Sequence, residues 1–216
     1  MNLIDFILHI DDHLITLVNT FGNWSYLILF AIIFIETGVV IFPFLPGDSL
    51  VFAACAMAAS PEYHLNIWLC YLIFIFAAII GDSSNYEIGH WSENKGAQHS
   101  WFNKLINEEH RKAAENFFDS HGGITILLGR FIPFIRTFVP FVAGASKMHY
   151  KTFLTYNILG AICWVTLFSA LGYFFGNIPI VQDHFSLIVI GIIFISVLPP
   201  LIMWLQKKIV LKKELR

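Results

Sequence analysis

The chain has 216 residues, 57% of them hydrophobic and 13% charged, with a formal net charge of −2. A soluble domain carries about twice that share of charge, so the composition excludes an ordinary soluble protein and points to an all-α integral membrane protein. The slightly acidic balance gives no reason for a nucleic-acid partner.

No Lys or Arg precedes the first apolar run, so the N-terminus does not read as a cleaved signal peptide. Residues 3–21 are apolar but carry Asp5, Asp11 and Asp12. Each carboxylate would cost about 2.5–3.5 kcal/mol near the bilayer centre, so the segment is expected as an amphipathic helix lying in the interface.

Residues 28–59 contain IETGVVIFPFLPGDSL, with Glu36, Pro43, Pro46, Gly47 and Asp48 inside an oily stretch. The length is too great for one crossing and too small for two, because each takes about 20 residues. Pro46-Gly47 breaks any helix, and Asp48-Ser49 suits the N-cap of a second one. The segment is expected to be a re-entrant hairpin.

Residues 65–82 form an ordinary transmembrane span, followed by polar residues 83–122. Within these, 100–120 places Trp101, Leu105, Ala113 and Phe117 on one side, as an amphipathic interfacial helix does. Residues 123–145 are apolar again but hold Arg130, Pro133, Arg136, Pro140 and Gly144. Spans are expected at 152–175 and 184–206, and a basic tail at 207–216.

Whether 123–145 crosses is decided by charge. Of 13 Lys and Arg, two are Arg130 and Arg136, and the other 11 avoid the connections at 60–64 and 176–183. If 123–145 turns back, all 11 lie on one side, as the positive-inside rule requires. The expected architecture is one domain over 1–216: an inverted repeat of two opposed re-entrant hairpins with about three full spans. The C-terminus is then cytoplasmic, in the plasma membrane. Transporters built this way bind at the midplane, where broken helices meet, and irregular backbone at that depth implies a polar interior.

Four charges fall near the two turns. Glu36 and Asp48 belong to the first, Arg130 and Arg136 to the second. They could form an ion-pair lock between the hairpins, although apolar packing could replace such a lock. Intramembrane charge more often marks a functional site. A guanidinium is a fork for phosphate or carboxylate, so Arg130 and Arg136 are expected to bind an anionic lipid headgroup. Apolar surroundings favour a proton on Glu36 and a neighbouring guanidinium disfavours it. Glu36 and Asp48 are therefore the expected proton-coupling groups.

Asp82, Asn85, Tyr86 and Glu87 in GDSSNYEIG either end a helix at the interface or serve in gating or headgroup contact. Asn157 reads as a hydrogen bond between helices. Cys55, Cys70 and Cys163 and the nine histidines show no metal-ligand spacing, so neither metal nor cofactor is expected. Gly47-Asp48-Ser49-Leu50 spells the signature of a serine hydrolase family, but that family's Asp-x-x-His is absent and Ser49 lacks a base. No catalytic residue is expected and the chain is not read as an enzyme.

The motifs ETGxxxxPFLPGDSL, GDxxNYxIG, HGGxTIxLGRFIPFIRTFVPFVAG and NxxGAxxW…GYFFG resemble the DedA family of the VTT-domain superfamily, over about residues 3 to 200. The resemblance implies two opposed re-entrant hairpins and lipid translocation dependent on the proton motive force. The cargo would be undecaprenyl phosphate in some members and phospholipid in others. It carries the family's essential acids onto Glu36 and Asp48 and its essential arginines onto Arg130 and Arg136. A proton-coupled carrier of a small anion or osmolyte would use the same four charges. Expected partners are a membrane lipid and protons; a homo-oligomer is compatible with the sequence.

Overall fold

The computed structural model describes residues 20–38, 47–60, 63, 65–95, 118, 122–132, 135–176, 178 and 191. Six α-helices lie within them: α1 Ser25–Gly38, after a 3-10 turn at Gly22–Trp24, α2 Gly47–Ala59, α3 Ile67–Lys95, α4 Ile124–Gly129, α5 Ile135–Ala145 and α6 Tyr150–Phe175. The segments expected at 3–21, 100–120, 184–206 and 207–216 lie outside the described residues, isolated positions apart, as do Pro46 and Pro133.

Length separates the helices into two classes. At 29 and 26 residues, α3 and α6 exceed the ~30 Å of bilayer hydrocarbon at about 1.5 Å per residue. Both carry spans apolar enough to cross, Ile67–Ser92 and Tyr150–Phe175. α1, α2 and α5 have 14, 13 and 11 residues and α4 has 6, so none reaches across alone. The outside is oily. On α3, Trp68, Leu72, Phe76 and Ile80 make an exposed stripe at four-residue spacing, while Cys70, Phe74, Ala77 and Ala78 are buried.

Close pairs fix the directions. The Asn66 N–H donates to the Tyr26 hydroxyl at 2.7 Å, and Gly38 meets Gly81, so α1 runs alongside α3 in the same sense. α6 runs against α3: Asn157 reaches the Ile79 carbonyl at 3.1 Å, and the Thr166 and Tyr71 hydroxyls meet at 2.8 Å. Gly123 touches Tyr156 and Gly160 touches Leu127, placing α4 alongside α6. The returning limbs change partners. α2 packs along α6, with Phe52 at Gly172 and Ala56 at Gly176, and α5 packs along α3, with Phe141 at Gly89 and Gly144 at Tyr86. Each half of the chain thus lends its second short helix to the long helix of the other half.

Two expectations need correction. The polar residues after Asp82 do not end the span: α3 continues to Lys95, and its polar residues turn inward against α5. Asp48 does not cap α2, because the helix begins at Gly47 and Asp48 sits in its first turn. Pro140 lies buried inside α5, which tolerates the missing N–H there through its packing.

Gly144 lets α5 press onto α3, for a Cβ there would overlap the Tyr86 carbonyl and lie 2.9 Å from the His90 nitrogen. Backbone cannot give way as a side chain can. Gly144→Ala should lower stability by about 1–3 kcal/mol, the usual cost of overpacking. Gly160→Ala, whose Cβ would find its nearest neighbour at 3.4 Å, should melt within a degree or two of the native protein. Thermal unfolding of both in detergent measures the contrast.

Candidate functional site

The ends of the short helices meet at the middle of α3 and α6, and the buried charge collects there. Glu36, near the end of α1, points its carboxylate at the start of α2, where the Gly47 N–H donates to Oε1 at 3.2 Å. A Cβ at position 47 would overlap that carboxylate. Glycine is therefore required for contact and not only to break the helix. The N-terminus of α2 is an anion site, and Glu36 fills it.

Arg136, in the first turn of α5, crosses to both acids of the other short-helix pair. Its Nη1 donates to Asp48 Oδ1 at 2.6 Å, and its Nη2 lies 2.7 Å from Glu36 Oε1. Trp164 of α6 completes this group: its indole N–H donates to Asp48 Oδ1 at 3.0 Å, and its ring faces the Arg136 guanidinium with the centroid 4.9 Å away. An indole in an apolar core needs an acceptor for its N–H, and Asp48 supplies it.

Arg130 makes a separate group. It pairs with Asp82 of α3 and donates to Asn157 Oδ1 at 2.6 Å. The Asn157 amide in turn donates to the Ile79 carbonyl at 3.1 Å and to the Ser83 hydroxyl at 3.4 Å. The expected single cluster of four charges is thus two groups of different make-up. Arg130 takes its acid from a long helix and not from the first hairpin. The reason is register, because Arg130 follows α4, which lies on α6, whereas Arg136 opens α5.

Asn85 joins the halves. Fully buried on α3, its amide donates to the Thr37 carbonyl at 3.3 Å and the Thr137 carbonyl at 2.7 Å. Thr37 is in the last turn of α1, where carbonyls lack helical partners, and Thr137 is in the first turn of α5. Thr37, Asp82, Arg130, Arg136, Thr137 and Trp164 enclose a void of about 10 Å³, about the room of one water. Glu36 Oε2, Asn85 Oδ1, Arg130 Nε and Arg136 Nη2 are buried without hydrogen-bond partners, the last facing Glu36 as an ion pair only. The centre is polar, as expected, but it is closed, whereas the sequence led us to expect a solvated pocket.

A family model, the VTT domain, matches residues 42–174, which contain both arginines, Asp48, Asp82, Asn85 and Trp164. The protein DedA of Escherichia coli K12 is 48% identical over 206 residues, covering 95% of this chain and 94% of its own. The chain belongs to the DedA family of VTT-domain membrane proteins. An uncharacterized membrane protein of Mycobacterium tuberculosis is 39% identical over 175 residues, 79% of this chain and 74% of that one. The inner membrane protein YghB of E. coli K12 is 33% identical over 180 residues, 83% of this chain and 78% of its own. No solved structure matches.

The sequence-derived residues Asp48 and Arg136, inside the matched segment, come together with Glu36 just before it, while Arg130 joins Asp82 and Asn157. Tyr86 stands further along α3 and donates to the Met148 carbonyl. Gly144 lies against it. Thr37, Ser83, Trp164 and Thr137 escaped sequence reasoning. Only Trp164 carried a usable signal, an indole inside a span.

The Asn85 side chain should be the most sensitive neutral group. Asn85→Asp keeps its shape but sets an oxygen against two carbonyls, and should destabilise by about 1–3 kcal/mol for the orphaned groups. Asn85→Gln, which keeps the donors, should recover part of that loss. Urea or thermal unfolding in detergent would show the order.

Proposed function

We propose that this protein is a lipid translocase of the flippase or scramblase type, carrying a phosphate-bearing lipid such as undecaprenyl phosphate or a phospholipid across the bilayer. The carrying observation is that two guanidiniums from the second half of the chain are withdrawn from solvent where four short helices end, opposite three acids from the first half. On this reading α1–α2 and α4–α5 are re-entrant hairpins. The Tyr26–Asn66 bond supports it for the first, because the start of α1 and the start of α3 sit together after the chain has gone in and returned. The antiparallel sense of α3 and α6 makes the two hairpins opposed, as in transporters with inverted repeats. The basic residues then face the cytoplasm, and so does the C-terminus.

Charge counting supports proton coupling. Glu36, Asp48 and Asp82 are three carboxylates against Arg130 and Arg136, so full ionisation leaves one uncompensated negative charge in an apolar interior. One proton offsets it at far lower cost than desolvating a lone carboxylate. A phosphate that takes an arginine from its acid leaves that acid unpaired. The acid then takes up a proton, and binding of the headgroup and of the proton become linked. Arg136, held by two acids and an indole, orders the site. Arg130, held by one acid and with Nε unpartnered, is the fork presented to the phosphate. The void has room for about one water, so the centre must widen to admit a headgroup.

Reconstitution into liposomes tests the reading. Labelled undecaprenyl phosphate and labelled phospholipid are placed on one side, with and without a pH gradient. Movement of either lipid, faster with the gradient, is expected. Glu36→Gln should abolish the pH dependence while the protein stays folded, and Arg130→Gln should slow transport at least about tenfold, the worth of one charge-assisted pair. Movement of a small anion with neither lipid would instead favour a solute carrier.

A further inference from the structure

We infer that the groove between the second half of α3 and the start of α6 is an outer site for the phosphate of a membrane lipid, and that Tyr86 closes the way from it to the central charges. The inference rests on the phosphate-lipid reading above and adds a second place where the headgroup is held.

The groove measures about 440 Å³ and is lined by Tyr86, Glu87 and His90 of α3 and by Lys147, His149 and Tyr150 across the α5–α6 turn. That volume falls within the ~300–1,000 Å³ of small-ligand sites. A lysine, two imidazoles and the Tyr150 phenol converge on it, able to donate to phosphate oxygens, beside the Glu87 carboxylate and with the Tyr86 hydroxyl already committed to the Met148 carbonyl. Its floor is rigid: the Tyr86 ring stacks on His90 and lies 5.3 Å from the Tyr150 ring, and its hydroxyl donates to the Met148 carbonyl.

Its position suits a lipid rather than a free solute. The groove lies at the end of the α3 span, and Trp91, four residues on from Glu87 and therefore next to it on the surface of α3, is 58% exposed. Acyl or prenyl chain can lie on that indole while the phosphate enters the groove. The groove is also in line with the centre. Asp82, Tyr86 and His90 follow one another at four-residue spacing, so they share a face of α3. Asp82 holds Arg130, His90 lines the groove, and Tyr86 stands between them. Its buried ring and its hydroxyl bond to Met148 tie this gate to the α5–α6 turn.

Lys147 supplies an independent argument. Among the described residues it is the non-glycine residue with positive φ, 57°. It occupies the left-handed position after α5, with the Met148 N–H on the Ala143 carbonyl at 3.0 Å and its own N–H on the Gly144 carbonyl at 3.1 Å. Glycine or asparagine usually fills that position. The turn would be better served by glycine, and the side chain that the lysine adds there lines the groove.

Calorimetric titration of the purified full chain in detergent tests the site, with dioctanoyl phosphatidic acid, dioctanoylglycerol and inorganic phosphate as probes. Phosphatidic acid should bind, the glyceride should not, and inorganic phosphate should bind far more weakly. Lys147→Gly should weaken phosphatidic acid binding about tenfold, the scale of one charge-assisted hydrogen bond, while melting at or above the native temperature. Lys147→Asn should behave alike. Arg130→Gln, or Arg130→Lys should the first not fold, should still bind the lipid but lose transport. Native affinity in both Lys147 variants overturns the groove site and leaves the central reading standing. So does loss of binding in the Arg130 variants alone. Equal affinity for inorganic phosphate overturns the lipid assignment. Absence of both phosphatidic acid binding and lipid movement overturns both readings together.

Discussion

The structure depends on the ion pairs that Arg136 makes with Glu36 and Asp48. A guanidinium inside a bilayer must be neutralised where it stands, since desolvating it costs several kcal/mol. One well-placed carboxylate returns about 4 kcal/mol at an effective dielectric near 20. Two acids from one half of the chain meet an arginine from the other half, so the pairs can form only when both halves are in register. The Trp164 indole and the helix N-terminus behind Glu36 remove the remaining freedom. The short helices α1, α2 and α5 have little intrinsic stability at their lengths. Their ends are held in place by this chemistry and by the glycine contacts along α3 and α6.

The exchange of limbs ties the two halves of the chain together. Because α2 lies on α6 and α5 lies on α3, neither pair of short helices packs as a unit on one long helix. Gly89, Gly144 and Gly172 keep those surfaces close, each against backbone of the neighbouring helix. Asn85 fastens the two pairs to each other, because one amide holds a carbonyl from α1 and another from α5. Loss of either bond leaves a buried amide partly unsatisfied, which favours both bonds or neither.

Much of this was legible in the sequence, for a simple reason. Glu36, Asp48, Arg130 and Arg136 stand out because charge in an apolar run has no bland explanation, and the length of 28–59 excludes both one span and two. Asp82 and Asn85 were ambiguous because a polar run after an apolar one has the same composition whether it leaves the membrane or turns inward. Only the packing of α5 from the other half decides, and that contact spans about fifty residues of chain. Thr37, Thr137 and Trp164 are ordinary residues for a membrane helix, and their roles follow from where the partner ends. The choice of acid for each arginine was invisible for the same reason. It depends on the offset between α4 and α5, which no local pattern encodes.

The two arginines end up in unequal circumstances, and that inequality shapes what the site can do. Arg136 has two carboxylates and an aromatic face, so a phosphate arriving there would have to displace all three. Arg130 has one carboxylate and one amide, and its Nε faces no acceptor. On the proposed lipid-carrier reading, a phosphate would displace the weaker set first and leave Asp82 without its partner. The sequence had assigned coupling to Glu36 and Asp48, which remain one carboxylate in excess around Arg136. Among the described residues the central set holds three acids and two bases, one proton short of neutrality, and on that reading the position of the phosphate would determine which acid holds it. Coupling would then belong to the five residues together, linked through the small void that Arg130, Arg136 and Asp82 share.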